Sequence, residues 1–296
     1  MANGGGARQA MRRRPATDRS EIGVLFRPIM TKQPILKRLP HPNITKFKAT
    51  FQHNRKFHIV MEYCAGGDLN DYIQKIKEKG LKIPEKDIMR WLKQLCDALH
   101  YIHSNHYIHR DIKLGNIFLT GDENEVKLGD FGVSKTLAYT SQLTVRVTGT
   151  QLYYAPEICQ NKPYDYKVDT WGLGMVIYQL SKLEYPFKDI TEVKEDKLEV
   201  NTKKLLAKQK ESGYEPIPDH YSSGLGDLIQ EMLQFDDEVR PLISSILKKP
   251  LLVQAAVEEK RRLDIELIYN IGLNRKVKTT VHEAAQFLNY LPEIRW

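Results

Sequence analysis

The stretch that decides the fold is HRDIKLGN, which runs from His109 to Asn116. Within it, Lys113 follows Asp111 by two positions, and Asn116 stands three positions beyond the lysine. A carboxylate can act as a general base, an ammonium group can steady negative charge, and an amide oxygen can bind a hard metal ion. One short loop therefore carries a candidate base, a candidate cation and a candidate metal ligand.

Two further triplets follow this loop. Asp130-Phe131-Gly132 begins fourteen positions after Asn116 and adds a second candidate metal ligand beside a glycine. Ala155-Pro156-Glu157 comes later in the chain. Each triplet alone is a weak signal, but ordinary loop residues do not explain their joint order and spacing. A base, a cation and oxygen ligands for Mg²⁺ are the groups needed to move a phosphoryl group from a nucleotide to a hydroxyl.

Composition limits the class of protein. The chain has 296 residues, of which 41% are hydrophobic, and a formal net charge of +8. These values predict one main domain with a tail, and the basic balance favours acidic partners. No nucleic-acid-binding module accompanies the charge, so we expect no nucleic-acid partner. Three widely separated cysteines suit a reducing compartment and form neither a disulfide framework nor a zinc site.

Cellular location is predicted only coarsely. No apolar run in the sequence approaches the length of a membrane span, and no secretory signal is evident. We therefore expect a soluble intracellular protein without a membrane partner. A cytoplasmic location is favoured, with a cytoskeletal or nuclear one as the alternative.

Hydrophobic patterns predict the main elements. Short strands are expected at Ile22–Phe26, Phe57–Met61 and Val126–Leu128. Pro84 is expected in the first turn of a helix, where the N–H that proline lacks would have no partner in any case. Along this helix apolar residues recur at steps of four and three and form one face. That face comprises Ile88, Leu92, Leu95, Leu99 and Ile102. Later helices are predicted over 169–183, 225–235 and 243–257.

The motifs together resemble the eukaryotic protein kinases. His109 to Asn116, the triplet at Asp130, and Gly149-Thr150 ahead of Ala155-Pro156-Glu157 carry that resemblance. Ile59 to Asp68, Asn116 to Leu119 and Lys127 to Asp130 resemble the NIMA-related (never-in-mitosis) branch, and the match runs from about His41 to Leu251. The implied fold is α+β and bilobal, with an incomplete β-rich small lobe and a complete, mainly helical large lobe. The implied activity is Ser/Thr protein phosphorylation with ATP and Mg²⁺ on a protein substrate or docking partner.

The resemblance also implies domain boundaries. A disordered basic tail is expected over residues 1–20, where a localisation or polyanion-binding patch is the alternative. The kinase-like domain is expected over 21–252, with a small-lobe remnant at 21–62, a hinge at 62–68 and the large lobe at 69–252. A helical C-terminal extension is expected over 253–296. Its apolar residues either pack back on the large lobe or form an intermolecular helix, although sustained heptads are missing.

Site roles follow from the resemblance, residue by residue. Asp111 is the implied catalytic base and Lys113 the implied catalytic cation, while Asn116 and Asp130 are the implied metal ligands. Met61, Glu62, Cys64, Asp68 and Phe118 are the implied nucleotide-binding residues. His109, Phe131, Glu157, Asp169 and Arg240 are the implied structural residues, with Glu157 and Arg240 forming a buried ion pair.

Regulation is expected to involve Arg110, Thr144, Thr148 and Thr150. Arg110, directly before the implied base, suggests control by a phosphate, because a guanidinium fork suits phosphate binding. In related kinases the regulatory Ser/Thr stands three positions before the glycine of the Gly-Thr pair. Here that position is Arg146, so we take Thr144 as the substitute.

The N-terminal part departs from the kinase pattern. A Gly-rich loop and an apolar strand carrying Lys are expected ahead of the first helix, and neither is found. The expected positions of that Lys and of its helix Glu fall near Thr17 and Lys32. Three readings stay open: a truncated or mis-started version of an active kinase, a pseudokinase that serves as a docking platform, or an active kinase that uses Arg27 or Lys32 as an unconventional cation.

Overall fold

The computed structural model describes residues 22–25, 39–54, 56–130, 135–136, 150–194 and 197–274. The strands are β1 (Ile22–Leu25), β2 (Phe47–His53), β3 (Lys56–Glu62), β4 (Tyr107–Ile108), β5 (Ile117–Leu119), β6 (Val126–Leu128), β7 (Lys135–Thr136), β8 (Thr191–Lys194) and β9 (Lys197–Val200). The helices are α1 (Leu69–Glu78), α2 (Glu85–Ser104), α3 (Pro156–Cys159), α4 (Lys167–Lys182), α5 (Thr202–Lys210), α6 (Ser223–Met232), α7 (Ile243–Ile246) and α8 (Pro250–Asn274). This mixed content confirms the predicted α+β class. No helix in the described ranges is long and apolar enough to cross a membrane.

The N-terminal part is an antiparallel sheet of three strands in the order β1-β3-β2. The central strand β3 pairs Val60 with Val24 on one side and with Ala49 on the other. The strands predicted at Ile22–Phe26 and Phe57–Met61 are confirmed, whereas β2 was not predicted. Six of the seven side chains of β2 are exposed, so the apolar periodicity that would have marked it is absent.

The long helix α2 lies at the centre of the C-terminal part. All five residues of its predicted apolar face are buried, as the 3.6-residue period requires. Pro84 stands at the N-cap, one residue ahead of the predicted first turn. Because proline has no N–H to donate, it fits this edge of the helix equally well.

Helix α4 is buried along almost its whole length. Fourteen of its residues are buried, including Trp171. Its two glycines permit close packing, since an added Cβ would lie 2.9 Å from Cβ of Ile112 at Gly172 and 2.9 Å from Cβ of Met232 at Gly174. Helix α4 therefore packs directly against the loop that contains the HRDIKLGN stretch.

The predicted helix over 243–257 is wrong in one respect. The structure contains two helices there, α7 and α8, and the second begins at Pro250. A proline clashes with the turn before it and disfavours helical backbone at the preceding residue, whereas it is well placed at the start of a helix. The hydrophobic pattern continues across residues 247–249, so it predicted a single helix where the structure has two. The domain boundaries of the sequence analysis stay a prediction.

Candidate active site

The HRDIKLGN stretch lies on the loop between β4 and β5, and a buried carboxylate of α4 anchors it. Asp169, which is 1% exposed, accepts hydrogen bonds from the backbone N–H groups of His109 (2.9 Å) and Arg110 (2.8 Å). The same carboxylate lies 2.8 Å from Nε2 of His103 at the end of α2. Three charge-assisted contacts therefore fix the start of the loop to two core helices.

The protonation states of this anchor follow from its surroundings. Burial raises the pKa of Asp169, but the hydrogen bond and charge of His103, together with the Arg110 N–H, outweigh it, so the pKa is lowered overall. Burial lowers the pKa of His109, and the nearby carboxylates of Asp169 and Asp111 only partly oppose it. At neutral pH the loop is thus held by an ionised Asp169 next to a neutral His109.

Asp111 lies at the centre of a compact group of side chains. Nζ of Lys113 is 2.9 and 2.8 Å from its two carboxylate oxygens. The side-chain amide of Asn116 donates to Oδ2 of Asp111 (2.8 Å) and to its backbone carbonyl (2.8 Å). The structure therefore brings together the predicted base, the predicted cation and one predicted metal ligand, with the carboxylate fixed by two donors.

The second predicted metal ligand directly follows a backbone contact to the first. The N–H of Gly129 donates to the backbone carbonyl of Asn116 (2.8 Å), and Asp130 is the next residue of the chain. Asp130 has φ 60°, a left-handed conformation that is uncommon for a residue other than glycine. An amide oxygen and a carboxylate are hard oxygen donors of the kind that Mg²⁺ prefers. The residues present therefore fit a magnesium site.

Gly129 also fixes the position of the predicted floor of the nucleotide pocket. An added Cβ at Gly129 would lie only 2.7 Å from Cε2 of Phe118. No real Cβ makes such a contact, so any side chain here would displace the aromatic ring. This glycine was not singled out from the sequence, because its role depends on a contact across the β5–β6 hairpin.

The predicted hinge joins the sheet to the helical part through Glu62. Its carboxylate accepts from the N–H of Lys46 (3.0 Å) and forms an ion pair with Lys127 (3.1 Å). Met61 is buried, and Cys64 is half-buried. Burial and the charge of Glu62 raise the pKa of the Cys64 thiol to about 11, with Lys127 opposing. The thiol is therefore neutral at physiological pH.

Asp68, predicted to bind the nucleotide, has a structural contact of its own. It caps α1 by accepting the N–H of Asp71 (2.9 Å), and its backbone forms an isolated bridge with Phe118. Nearby Gly66 is essential to this packing, because an added Cβ would lie 2.4 Å from the carbonyl oxygen of Thr120. The hinge thus lies directly on the β5–β6 hairpin.

The implied ion pair between Glu157 and Arg240 is present and buried. Nη1 of Arg240 is 2.7 Å from Oε1 of Glu157, and Nη2 is 3.0 Å from Oε2. The guanidinium carbon also lies 5.1 Å from the ring centroid of Trp171, over its face. This bidentate pair fixes α3 to α4 and to the segment before α7.

Comparison with known proteins agrees with this geometry. The family model for the protein kinase domain matches residues 10–252. Among curated relatives, serine/threonine-protein kinase Nek5 of Mus musculus is 40% identical over 218 residues, which is 74% of this chain and 33% of the relative. Nek1 of Mus musculus is 39% identical over 220 residues (74% of this chain, 17% of the relative). The chain thus spans about a third or less of the length of these relatives.

This chain belongs to the NIMA-related branch of the protein kinase family. A third relative, the probable serine/threonine-protein kinase nek3 of Dictyostelium discoideum, is 39% identical over 228 residues, or 76% of this chain and 19% of the relative. The family recognised from the motifs is therefore confirmed, and with it the kinase fold. The roles of the individual site residues stay predictions.

The predicted regulatory residues of this NIMA-related kinase are only partly described. Thr144, Thr148 and the structural residue Phe131 lie outside the described residues, and Thr150 begins a short 3₁₀ turn over Thr150–Tyr153. Arg110 has φ 69°, and its Nη1 is buried without a hydrogen-bond partner among the described residues. Its charge opposes the burial that raises the pKa values of Tyr154 and Tyr164. The guanidinium of Arg110 is therefore close enough to Tyr154 and Tyr164 to affect both phenols electrostatically.

Two positioning residues of this kinase were missed in the sequence. His103 is the third partner of Asp169, and Gln209 of α5 donates to the carbonyl of Tyr154 (2.8 Å) while being 1% exposed. Both contacts join elements more than fifty residues apart. The sequence signal was weak, since a lone His at a helix end and a Gln on a lysine-rich helix look like surface residues.

Proposed function

We propose that this chain transfers the γ-phosphoryl group of ATP to a serine or threonine hydroxyl of a protein. The observation that carries the proposal is the group around Asp111, where Lys113 and Asn116 fix a carboxylate on a loop anchored by Asp169. Positioning and electrostatic stabilisation supply most of the catalysis in phosphoryl transfer. A rigid base beside a cation is the arrangement that this chemistry needs.

Each residue has a proposed task. Asp111 accepts the proton of the attacking hydroxyl, and Lys113 stabilises negative charge close to it. Asn116 and Asp130 would hold Mg²⁺, which neutralises phosphate charge when bound. The backbone of Glu62 and Cys64 binds the adenine edge, while Met61, Asp68 and Phe118 line the nucleotide site. Thr150 is proposed to set the preference for serine and threonine.

Control of activity is proposed to use Arg110. Its guanidinium, of which Nη1 is buried without a hydrogen-bond partner among the described residues, fits a phosphate carried by the segment that contains Thr144 and Thr148. Thr144 is the proposed site, because Arg146 occupies the position where related kinases have their regulatory Ser/Thr. Replacement of Thr144 by Ala is expected to lower activity without changing nucleotide affinity, whereas replacement of Thr136 is expected to leave both unchanged.

A pseudokinase that acts as a docking platform is the second candidate function. The departure of residues 1–40 from the Gly-rich loop and strand-Lys pattern favours it, as does the exposure of β2. The two candidates differ in one measurable property, because a platform needs no phosphoryl transfer. A kinase with an unconventional cation predicts instead that Arg27→Ala or Lys32→Ala abolishes transfer.

Calorimetry and a transfer assay test the proposal on residues 1–296. Titration with Mg·ATP is expected to show binding that requires Mg²⁺ and is lost in Asp130→Ala. Transfer from labelled ATP to casein is expected to fall by about 10²-fold or more in Asp111→Asn, the range for loss of a general base. Glu258→Lys, far along α8, serves as the matched control and is expected to leave transfer unchanged.

The outcomes separate the two candidates. Binding without transfer, in a sample whose circular dichroism shows a folded protein, would favour the pseudokinase. Absence of binding up to millimolar ATP would contradict a nucleotide-dependent function for this chain. Transfer that survives Asp111→Asn would overturn the role proposed for that residue.

A further inference from the structure

One face of α8 presents a regular stripe that the rest of the described chain does not cover. Val253, Val257, Lys260, Asp264 and Leu267 recur at steps of four, three, four and three, the spacing of a helix–helix seam. Val253 is 50% exposed, Val257 43% and Leu267 59%. Leu263, 47% exposed, borders the same stripe. Four large apolar side chains on one face of a single helix form an unusual surface.

The opposite face of α8 holds the helix on the large lobe. Leu252 and Ala255 are buried, and this part of the helix packs against α2. Lys249, just before the helix, forms an ion pair with Glu231 of α6 (2.6 Å). The stripe therefore faces away from the body in the described part of the chain, as a surface for association between molecules would.

The order of residues along the stripe is self-complementary. A lysine and an aspartate one turn apart occupy its middle, and apolar residues flank them on both sides. Laid against itself in the antiparallel direction, the stripe places Lys260 opposite Asp264 of the second copy and, by the two-fold axis, Asp264 opposite its Lys260. Val257 then faces Leu267 of the second copy, which buries apolar surface on either side of the charges.

We infer that the α8 stripe pairs with the α8 stripe of a second copy of this chain in an antiparallel arrangement. A parallel pair would stack Lys260 on Lys260 and Asp264 on Asp264, which like-charge repulsion disfavours. The opposite charges of Lys260 and Asp264 thus favour a second copy of the same helix as the partner and an antiparallel direction for the pair. A seam of about four turns is short, so the dimer forms weakly and is best observed at high protein concentration.

A charge swap tests this inference on the full chain. Sedimentation equilibrium is expected to show a concentration-dependent dimer for the unmodified protein. Lys260→Asp alone and Asp264→Lys alone each place like charges opposite one another and are expected to weaken dimerisation by about tenfold or more. The double variant K260D/D264K restores opposite charges and is expected to restore dimerisation. Glu258→Lys, off the stripe, is the control and changes nothing.

Cross-linking tests the direction of the pair. In the antiparallel register, a mixture of Val257→Cys and Leu267→Cys proteins forms mixed disulfides. Val257→Cys alone does not, because its two copies lie about 15 Å apart along the seam. The unmodified protein, with Cys64, Cys96 and Cys159, gives the background. Circular dichroism shows that each variant retains its helices.

Three results would overturn the inference. The unmodified protein could be monomeric at every concentration, which would assign the stripe to residues 275–296 or to a different protein. Dimerisation could be insensitive to both single charge reversals, which would place the interface elsewhere. Val257→Cys could cross-link efficiently with itself, which would indicate a parallel pair.

Discussion

The HRDIKLGN loop, which we propose as the catalytic loop, is fixed by buried contacts, whereas the three-stranded sheet is largely exposed on one edge. Asp111 and His109 are buried in their loop, and the buried Asp169 of α4 fixes that loop to α4 and, through His103, to α2. The edge strand β2 exposes six of its seven side chains, and β3 joins the helical part largely through Glu62 and the 42–46 segment.

The two regions have different parts in the proposed reaction. Residues proposed to act on the phosphoryl group lie where packing and hydrogen bonds fix them in advance. Residues proposed to hold the adenine lie where a thin sheet meets the large lobe. Regions with few buried contacts open at lower free energy than the core. We therefore expect the catalytic loop to keep its shape under conditions that already loosen the nucleotide side.

Breaking the buried ion pair is the strongest challenge to the large lobe. Glu157→Ala leaves Arg240 charged and buried, so the free energy of unfolding is expected to fall by about 3–5 kcal/mol. Urea unfolding followed by tryptophan fluorescence measures it, since Trp171 lies beside the guanidinium. A loss below about 1 kcal/mol would show that the buried ion pair contributes little to the stability of the large lobe.

Acid is expected to act on the catalytic loop through His109. Its pKa is lowered in the folded protein, so below about pH 6.5, the usual value for histidine, the unfolded chain binds more protons than the folded one. The free energy of unfolding therefore falls as pH decreases below 6.5, by at most about 1.4 kcal/mol per pH unit for one group.

His109→Gln checks this assignment, because glutamine does not titrate. Unfolding of both proteins at several pH values between 7 and 5 gives the slopes. His41, whose pKa is also lowered by burial, contributes equally to both proteins and cancels in the comparison. If the free energy of unfolding changes equally with pH in both proteins, His109 is not the source of the acid sensitivity.

A smaller effect is expected at the junction of the two regions. Glu62→Gln removes the carboxylate beside Lys127 (3.1 Å) and is expected to lower the free energy of unfolding by about 1–2 kcal/mol. Hydrogen exchange should show faster opening of β2 and β3 while α4 is unchanged. Glu125→Gln, at an exposed site before β6, is the control. Uniform acceleration of exchange in both regions would mean that they unfold as one unit.

The smallest effect is expected on the surface of α2. Lys93 contacts both carboxylate oxygens of Asp97 (2.7 and 2.6 Å), but helix surface pairs of this kind contribute only about 0.3–0.5 kcal/mol. Lys93→Ala should therefore change the urea midpoint only slightly. A loss comparable with that of Glu157→Ala would show that exposed charges, and not buried ones, stabilise the lobe.

Sequence reasoning predicted the parts of the structure that local pattern encodes. The apolar face of α2 follows from helical periodicity, and the strand β3 follows from a run of apolar residues that favour strands. The role predicted for HRDIKLGN follows from the types and spacing of its residues. The break at Pro250 could have been predicted too, since proline disfavours helix before it. Hydrophobicity there was given more weight than backbone geometry.

The remaining features depend on contacts between distant residues. His103 meets Asp169 across sixty-six positions, and the glycine at 129 is needed only because Phe118 lies against it. Strand β2 carries no alternation because almost all of it is exposed. Nothing in the local sequence encodes such neighbours, so the structure was required to find them.

The half-buried thiol at the hinge has a consequence for chemical probes of this kinase. With a pKa of about 11, Cys64 is ionised in only about one molecule in 10⁴ at pH 7, and the thiolate is the reactive form. An electrophile carried on an adenine-like ring would therefore label Cys64 slowly even when well placed. Rapid labelling at this position would instead report a hinge that has opened to water.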